Sequence, residues 1–144
     1  MQPRKISESI SVAEQIVPAD LPAAAALGFR SVICNRPDGE GPDQPCFAEI
    51  AKAAEAEGLE ARYVPVHATG IVDGDIEQFS GAFARLPHPV LAYCRSGMRS
   101  TSLWALDQAR TLPVTEVLAK AASAGYDLSP MAQRLTDQAE AAVG

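Results

Sequence analysis

Three short apolar runs, at residues 29–35 (FRSVICN), 59–66 and 90–93, alternate with stretches of helical spacing, and this alternation constrains the fold more than any other feature. A β-branched run without polar alternation needs burial on both faces, which a parallel sheet between two helical layers provides. Residues 20–27 are Ala-rich with Gly28 behind them, and residues 47–57 (FAEIAKAAEAE) have helical spacing with Gly58 as a stop. Residues 75–86 set Ile76, Phe79, Phe83 and Leu86 on one side of a helix. A further helix is expected over 100–110, with Leu103, Trp104 and Leu106, and two more helical segments, about 114–124 and 129–142, flank Gly125 and Pro130. At the front, Ile6, Ile10 and Val12 alternate with polar residues, as in a short half-buried strand or two hairpin-like pieces. The expected fold is α/β: one domain over residues 1–144, with a mostly parallel central sheet of about four or five strands, helices on both faces and a C-terminal helical pair.

A chain of 144 residues buries enough surface to need no disulfide or metal staple. Cys34, Cys46 and Cys94 form an odd set without C-x-x-C spacing, and His67 and His88 have no carboxylates at ligand spacing. No cofactor or metal is therefore expected. With 12 Lys+Arg against 18 Asp+Glu, the net charge of −6 argues against a nucleic-acid or anionic-membrane partner, since a phosphate backbone is gripped by clustered cations. No apolar run approaches the ~18 residues of a membrane span. The start of the chain lacks a signal-peptide core, so a cytoplasmic location is expected.

Parallel sheets bind ligands at the carboxyl ends of their strands, here Asn35, Val66 and Tyr93. The third end is chemically distinct. Residues 89–101, PVLAYCRSGMRST, read as a buried strand ending at a cysteine, a polar loop and a helix. The helix start and the cations Arg95 and Arg99 favour the Cys94 thiolate. The amides of Arg95, Ser96, Gly97, Met98 and Arg99 are able to converge on an anion, with Gly97 allowing the turn and Arg99 adding a planar fork. Such a loop sets a nucleophile beside an oxyanion, as phosphoryl or sulfane transfer requires. Ser100 has the choice of capping the helix or donating to the thiolate. Arg36 and Asp38, in NRPDGE, belong to the same sheet edge, as a turn or as substrate contacts. Cys34 reads as core, Cys46 as a loop or helix-start residue, and His67 as a polar loop residue.

The stretch YCRSGMRS resembles the active-site loop of single-domain rhodaneses, whereas Gln15, GFRSVICNRPDGEG, YVPV and the strand, Cys loop and helix resemble a dual-specificity phosphatase. The combination is similar to the phosphatase-like domain at the front of beta-lactamase-hydrolase-like proteins, over roughly residues 5–135. Cysteine phosphatases close their loop with C-x5-R and carry His before the Cys. Here the spacing is C-x4-R, with Tyr93 before Cys94 and Ser100 where the phosphatase Arg stands. The resemblance thus implies first a sulfurtransferase, in which Cys94 takes the outer sulfur of thiosulfate or a persulfide and yields it to an acceptor thiol or cyanide. It implies as the alternative a phosphoester hydrolase working through phosphocysteine, which needs a general acid, Asp73 or Asp75. An idle anion-binding module, or a redox sensor joining Cys94 to Cys34 or Cys46, are the readings from other classes.

Overall fold

The computed structural model describes residues 1–143. In chain order the strands are β1 (Arg4–Ser7), β2 (Ile10–Ala13), β3 (Ser31–Cys34), β4 (Glu60–Tyr63) and β5 (Val90–Tyr93). The helices are α1 (Leu21–Ala26), α2 (Phe47–Ala56), α3 (Asp73–Arg85), α4 (Met98–Gln108), α5 (Val114–Ser123) and α6 (Ala132–Val143). The sheet runs β1-β2-β5-β3-β4, with β1 antiparallel to β2 and every other pairing parallel. The expected α/β architecture is thus the observed one, and the alternating front segment is a hairpin.

Side chains of a strand point alternately to opposite faces, so each buried strand feeds two cores. Ile10, Val12, Ile33, Val90 and Ala92 pack with Ile76, Phe79, Leu103, Trp104, Val117 and Leu135 from α3 to α6. Ala13, Val32, Cys34, Leu91 and Tyr93 pack with Leu21, Ala24, Ile50 and Ala54 from α1 and α2. β5 lies in the middle of the sheet and all four of its residues are buried. Its carboxyl end is therefore the most rigidly held point at that edge.

Some element limits differ from the sequence expectation for local reasons. β4 stops at Tyr63, not Val66, and as an edge strand exposes Glu60, Arg62 and Tyr63. Pro65 has no N–H to pair, yet Val64 and Val66 still donate to the Cys34 and Asn35 carbonyls at 2.9 and 3.0 Å. α3 begins at Asp73 because the Asp75 carboxylate accepts the Val72 N–H at 2.9 Å. α4 begins at Met98, directly after Gly97. No helix among the described residues is long and apolar enough to cross a membrane.

Candidate active site

Cys94 follows the central strand β5 and is held from both flanking strands. Its N–H donates to the Ala13 carbonyl at 3.4 Å, Asn35 N–H to the Tyr93 carbonyl at 2.8 Å, and Gln15 N–H to the Arg95 carbonyl at 3.2 Å. The chain then turns through Gly97 at φ +91°, a left-handed conformation that an L side chain adopts only at a cost. The turn aims the Gly97 N–H at Cys94 Sγ, 3.1 Å away. A Cβ on Gly97 would stand 2.9 Å from Tyr126 Cζ and closer still to its hydroxyl oxygen, so the position excludes any side chain on steric grounds as well. Tyr126 occupies that space to donate to the Ser96 carbonyl at 3.1 Å, and Thr101 Oγ1 donates to the Gly97 carbonyl at 2.7 Å. The loop is braced from α5's far end and from inside α4. Cys94 itself has no exposed surface, so its thiol lies beneath the loop rather than in an open hollow.

Arg99, in the first turn of α4, reaches over this loop. Its Nη1 and Nη2 donate to Glu40 Oε2 and Oε1 at 2.7 and 2.8 Å, and Nη1 also donates to the Val66 carbonyl at 2.9 Å. Arg36 donates through Nε to Glu40 Oε1 at 3.1 Å and through Nη1 to Gln15 Oε1 at 3.1 Å. One carboxylate is therefore clasped by two guanidiniums. The Arg99 hydrogen bond, with Arg36 adding to it, holds the Glu40 carboxyl below the usual glutamate range. Reciprocally Glu40, and beyond it the Cys94 sulfur, raise the pKa of Arg99. Glu40 carries no motif that sequence reading would single out. Its one signal is a spacing of four from Arg36 in the loop after β3.

Ser100 caps nothing, because Gly97 holds the cap position and Ser100 lies inside the helix. Its buried hydroxyl donates to Asn35 Oδ1 at 2.8 Å, while Asn35 Nδ2 donates to the Val64 carbonyl at 2.9 Å. This relay ties α4 to the ends of β3 and β4. Arg95 and Ser96 are exposed at the rim, Ser96 Oγ accepting the Met98 N–H at 3.3 Å. Beside Arg99 a cleft of about 340 Å³ is walled by His67, Ile71, Met98, Met131 and Arg134.

A model of the family described as "Beta-lactamase hydrolase-like protein, phosphatase-like domain" matches residues 2–111. This chain belongs to that family. It is 38% identical over 109 residues to a beta-lactamase hydrolase-like protein of Agrobacterium fabrum strain C58, covering 76% of this chain and 25% of the relative. It is 35% identical over 136 residues to one of Xylella fastidiosa strain Temecula1, covering 93% and 32%. The chain thus spans about a quarter to a third of the length of these relatives. Among solved structures it is similar to a candidate phosphatase from Neisseria meningitidis Z2491, at 37% identity, a TM-score of 0.83 and coverage of 93% and 96% of the two chains. The fold is phosphatase-like, and these likenesses favour phosphoester chemistry over sulfur transfer.

The structure gives the two expected general acids other partners. Asp75 is used in starting α3, and Asp73 lines a cleft of about 300 Å³ with Glu77, Arg110, Gln138, Ala141 and Ala142. The α3 start two residues earlier than its spacing suggested places both carboxylates in the first turn of the helix. Cys34 is buried in the α1–α2 layer, where its thiol donates to the Arg36 carbonyl at 3.3 Å and burial pushes its pKa up, the reverse of what a reactive partner thiol needs. Cys46 holds the cap position of α2, and His88 Nε2 lies 2.8 Å from the Phe83 carbonyl oxygen.

Proposed function

We propose that the chain is a cysteine-dependent phosphatase that cleaves a small phosphoester through a phosphocysteine at Cys94. The observation that carries this reading is the donor set beside the thiol. Arg99 and Arg36 present three N–H groups, within 2.7–3.1 Å, to the two oxygens of a single anion. A phosphoryl group offers oxygens to such a fork, and because the sulfonate end of thiosulfate does so too, it is the likeness to phosphatases that supports phosphoester chemistry over sulfur transfer. With oxygens on Arg99 and on the loop amides, the Cys94 thiolate attacks phosphorus from below and the leaving oxygen departs on the outer side. Water then attacks the phosphocysteine and releases inorganic phosphate and the thiolate. Aryl phosphates depend least on a proton donor, since a phenoxide is the better leaving group, and so suit the first assay. Arg95 and Ser96 contribute main-chain donors at the rim, the Gly97 N–H faces the Cys94 sulfur, the Met98 N–H reaches substrate only by giving up its bond to Ser96, and Arg36 belongs to the substrate site.

The C-x4-R spacing, one residue shorter than in cysteine phosphatases, is the observation that favours sulfur transfer instead, and the two are assayed together. On one preparation, hydrolysis of an aryl phosphate is expected and thiosulfate:cyanide transfer is not. Cys94→Ser is expected to abolish hydrolysis, and Arg99→Ala to lower it by roughly 10- to 1000-fold, the loss typical of an oxyanion donor. Full turnover by Cys94→Ser, or thiocyanate formation without aryl phosphate hydrolysis, refutes the proposal.

A further inference from the structure

Two observations around the loop require a joint explanation. The candidate nucleophile Cys94 has no exposed surface, and both terminal nitrogens of the guanidinium above it are already engaged. Glu40 takes both prongs of Arg99 at 2.7 and 2.8 Å and the Nε of Arg36 at 3.1 Å, while the side chains of Arg99 and Glu40 are only 13% and 23% exposed. Two charge-assisted hydrogen bonds in a parallel fork are the arrangement with which arginine binds carboxylate or phosphate oxygens from a ligand. Here the ligand position is filled from within, by a residue 59 positions away in sequence.

We propose that Glu40 is a built-in substrate mimic, and that a phosphoryl group binds by displacing its carboxylate from Arg99 and Arg36. This rests on the reading of the Cys loop as a phosphoester site, and adds to it how the site is closed and what opens it. The loop that carries Glu40, residues 37–45, is held through Asp38, which donates its N–H to the Tyr63 hydroxyl at 2.9 Å and accepts the Phe47 N–H at 2.8 Å, whereas among the described residues the Glu40 carboxylate is held by the two guanidiniums alone. The loop contains three prolines and two glycines, and is neither helix nor strand. Arg36 and Arg99, by contrast, stay anchored when the carboxylate leaves. Arg36 keeps its bond to Gln15, and Arg99 keeps its bond to the Val66 carbonyl. The donors are thus pre-positioned, and the occupant is what changes. The charge count agrees. Two guanidiniums facing one carboxylate leave a single positive charge for an incoming anion, and releasing Glu40 to solvent restores the second. The exchange favours a dianionic tetrahedral oxyanion over a monoanion, because only the former replaces more charge than it expels.

The test compares the protein with Glu40→Gln, which keeps the shape of the side chain and removes its charge. Binding of inorganic phosphate, measured by calorimetry, is expected to tighten by roughly 10-fold or more, because the competing charge-assisted bonds are lost. In the unsubstituted protein, adding phosphate is expected to speed amide hydrogen exchange over residues 38–44 as Glu40 is released. Phosphate binding that is unchanged or weaker in Glu40→Gln identifies Glu40 as a support for Arg99 and overturns the proposal. So does tighter binding in the variant without faster exchange in the unsubstituted protein, which would mean that Glu40 acts only through its charge. The proposal stands or falls separately from the activity. Both measurements read phosphate binding, so a protein that hydrolyses no aryl phosphate yet passes both tests loses the phosphatase reading and keeps this one.

Discussion

Replacing Gly97 with alanine tests the architecture of the Cys loop at its tightest point. The backbone there has φ +91°, which costs an L-residue about 1–2 kcal/mol. The new Cβ would also collide with Tyr126, whose Cζ lies 2.9 Å from the ideal Cβ position. Tyr126 is 8% exposed and its ring must move, which breaks its hydrogen bond to the Ser96 carbonyl, worth about 1 kcal/mol. The sum is about 2–3 kcal/mol, or a fall in melting temperature of roughly 6–12 °C for a domain of this length. Thermal unfolding of Gly97→Ala, Tyr126→Ala and the double variant separates the two contributions. With the tyrosine gone only the conformational cost remains, so Gly97→Ala is expected to cost about 1 kcal/mol less in that background. Aryl phosphate hydrolysis is expected to fall with stability, since the shifted turn withdraws the Gly97 N–H from Cys94 Sγ. A cost below about 1 kcal/mol, or an identical cost with and without Tyr126, refutes this account of the loop.

Asp73→Asn and Asp75→Asn are expected to leave aryl phosphate turnover within about twofold, since Asp75 is engaged by the Val72 N–H and Asp73 lines a separate cleft, while Asp75→Asn loses about 0.5–1 kcal/mol at the start of α3. A loss of turnover beyond 100-fold in either, at unchanged melting temperature, would reinstate that residue as the acid. The Glu40 cluster sets an acid-dependent part of the stability. Its carboxyl titrates below the ordinary value of 4.5 when folded, so the unfolded chain takes up the proton first. The stabilisation is complete above the unfolded value and is lost as pH falls through the folded one. Melting of the protein and of Glu40→Gln, compared from about pH 7 down to pH 3, is expected to show a difference that shrinks on acidification. A difference constant with pH refutes the linkage.

Much of this site was legible in the chain, and the part that was not has a common cause. The apolar runs, the helix stops at Gly28 and Gly58, and the strand, Cys loop and helix of residues 89–101 are written in spacings of a few residues. Such patterns depend on backbone periodicity and turn chemistry, which neighbours in sequence decide among themselves. They also located Cys94, Gly97 and Arg99 within one loop. Asp73 and Asp75 show the limit of this reasoning. Their place after the YVPV segment suggested an acid for the Cys loop, but the helix begins at Asp73 and takes both into its first turn.

The sequence by itself determined the alternation of strands and helices, the position of a thiol at a helix start, and the need for glycine at the turn, because each follows from local geometry. Only the tertiary structure decided that Glu40 clasps Arg99 across 59 residues, that Ser100 serves Asn35 across 65, and that Tyr126 braces Ser96 across 30. Those contacts depend on β5 lying between β2 and β3 and on how α4 and α5 pack against that sheet. Strand order and helix packing are settled by the burial of a whole core, a sum over the chain that no short window of residues contains.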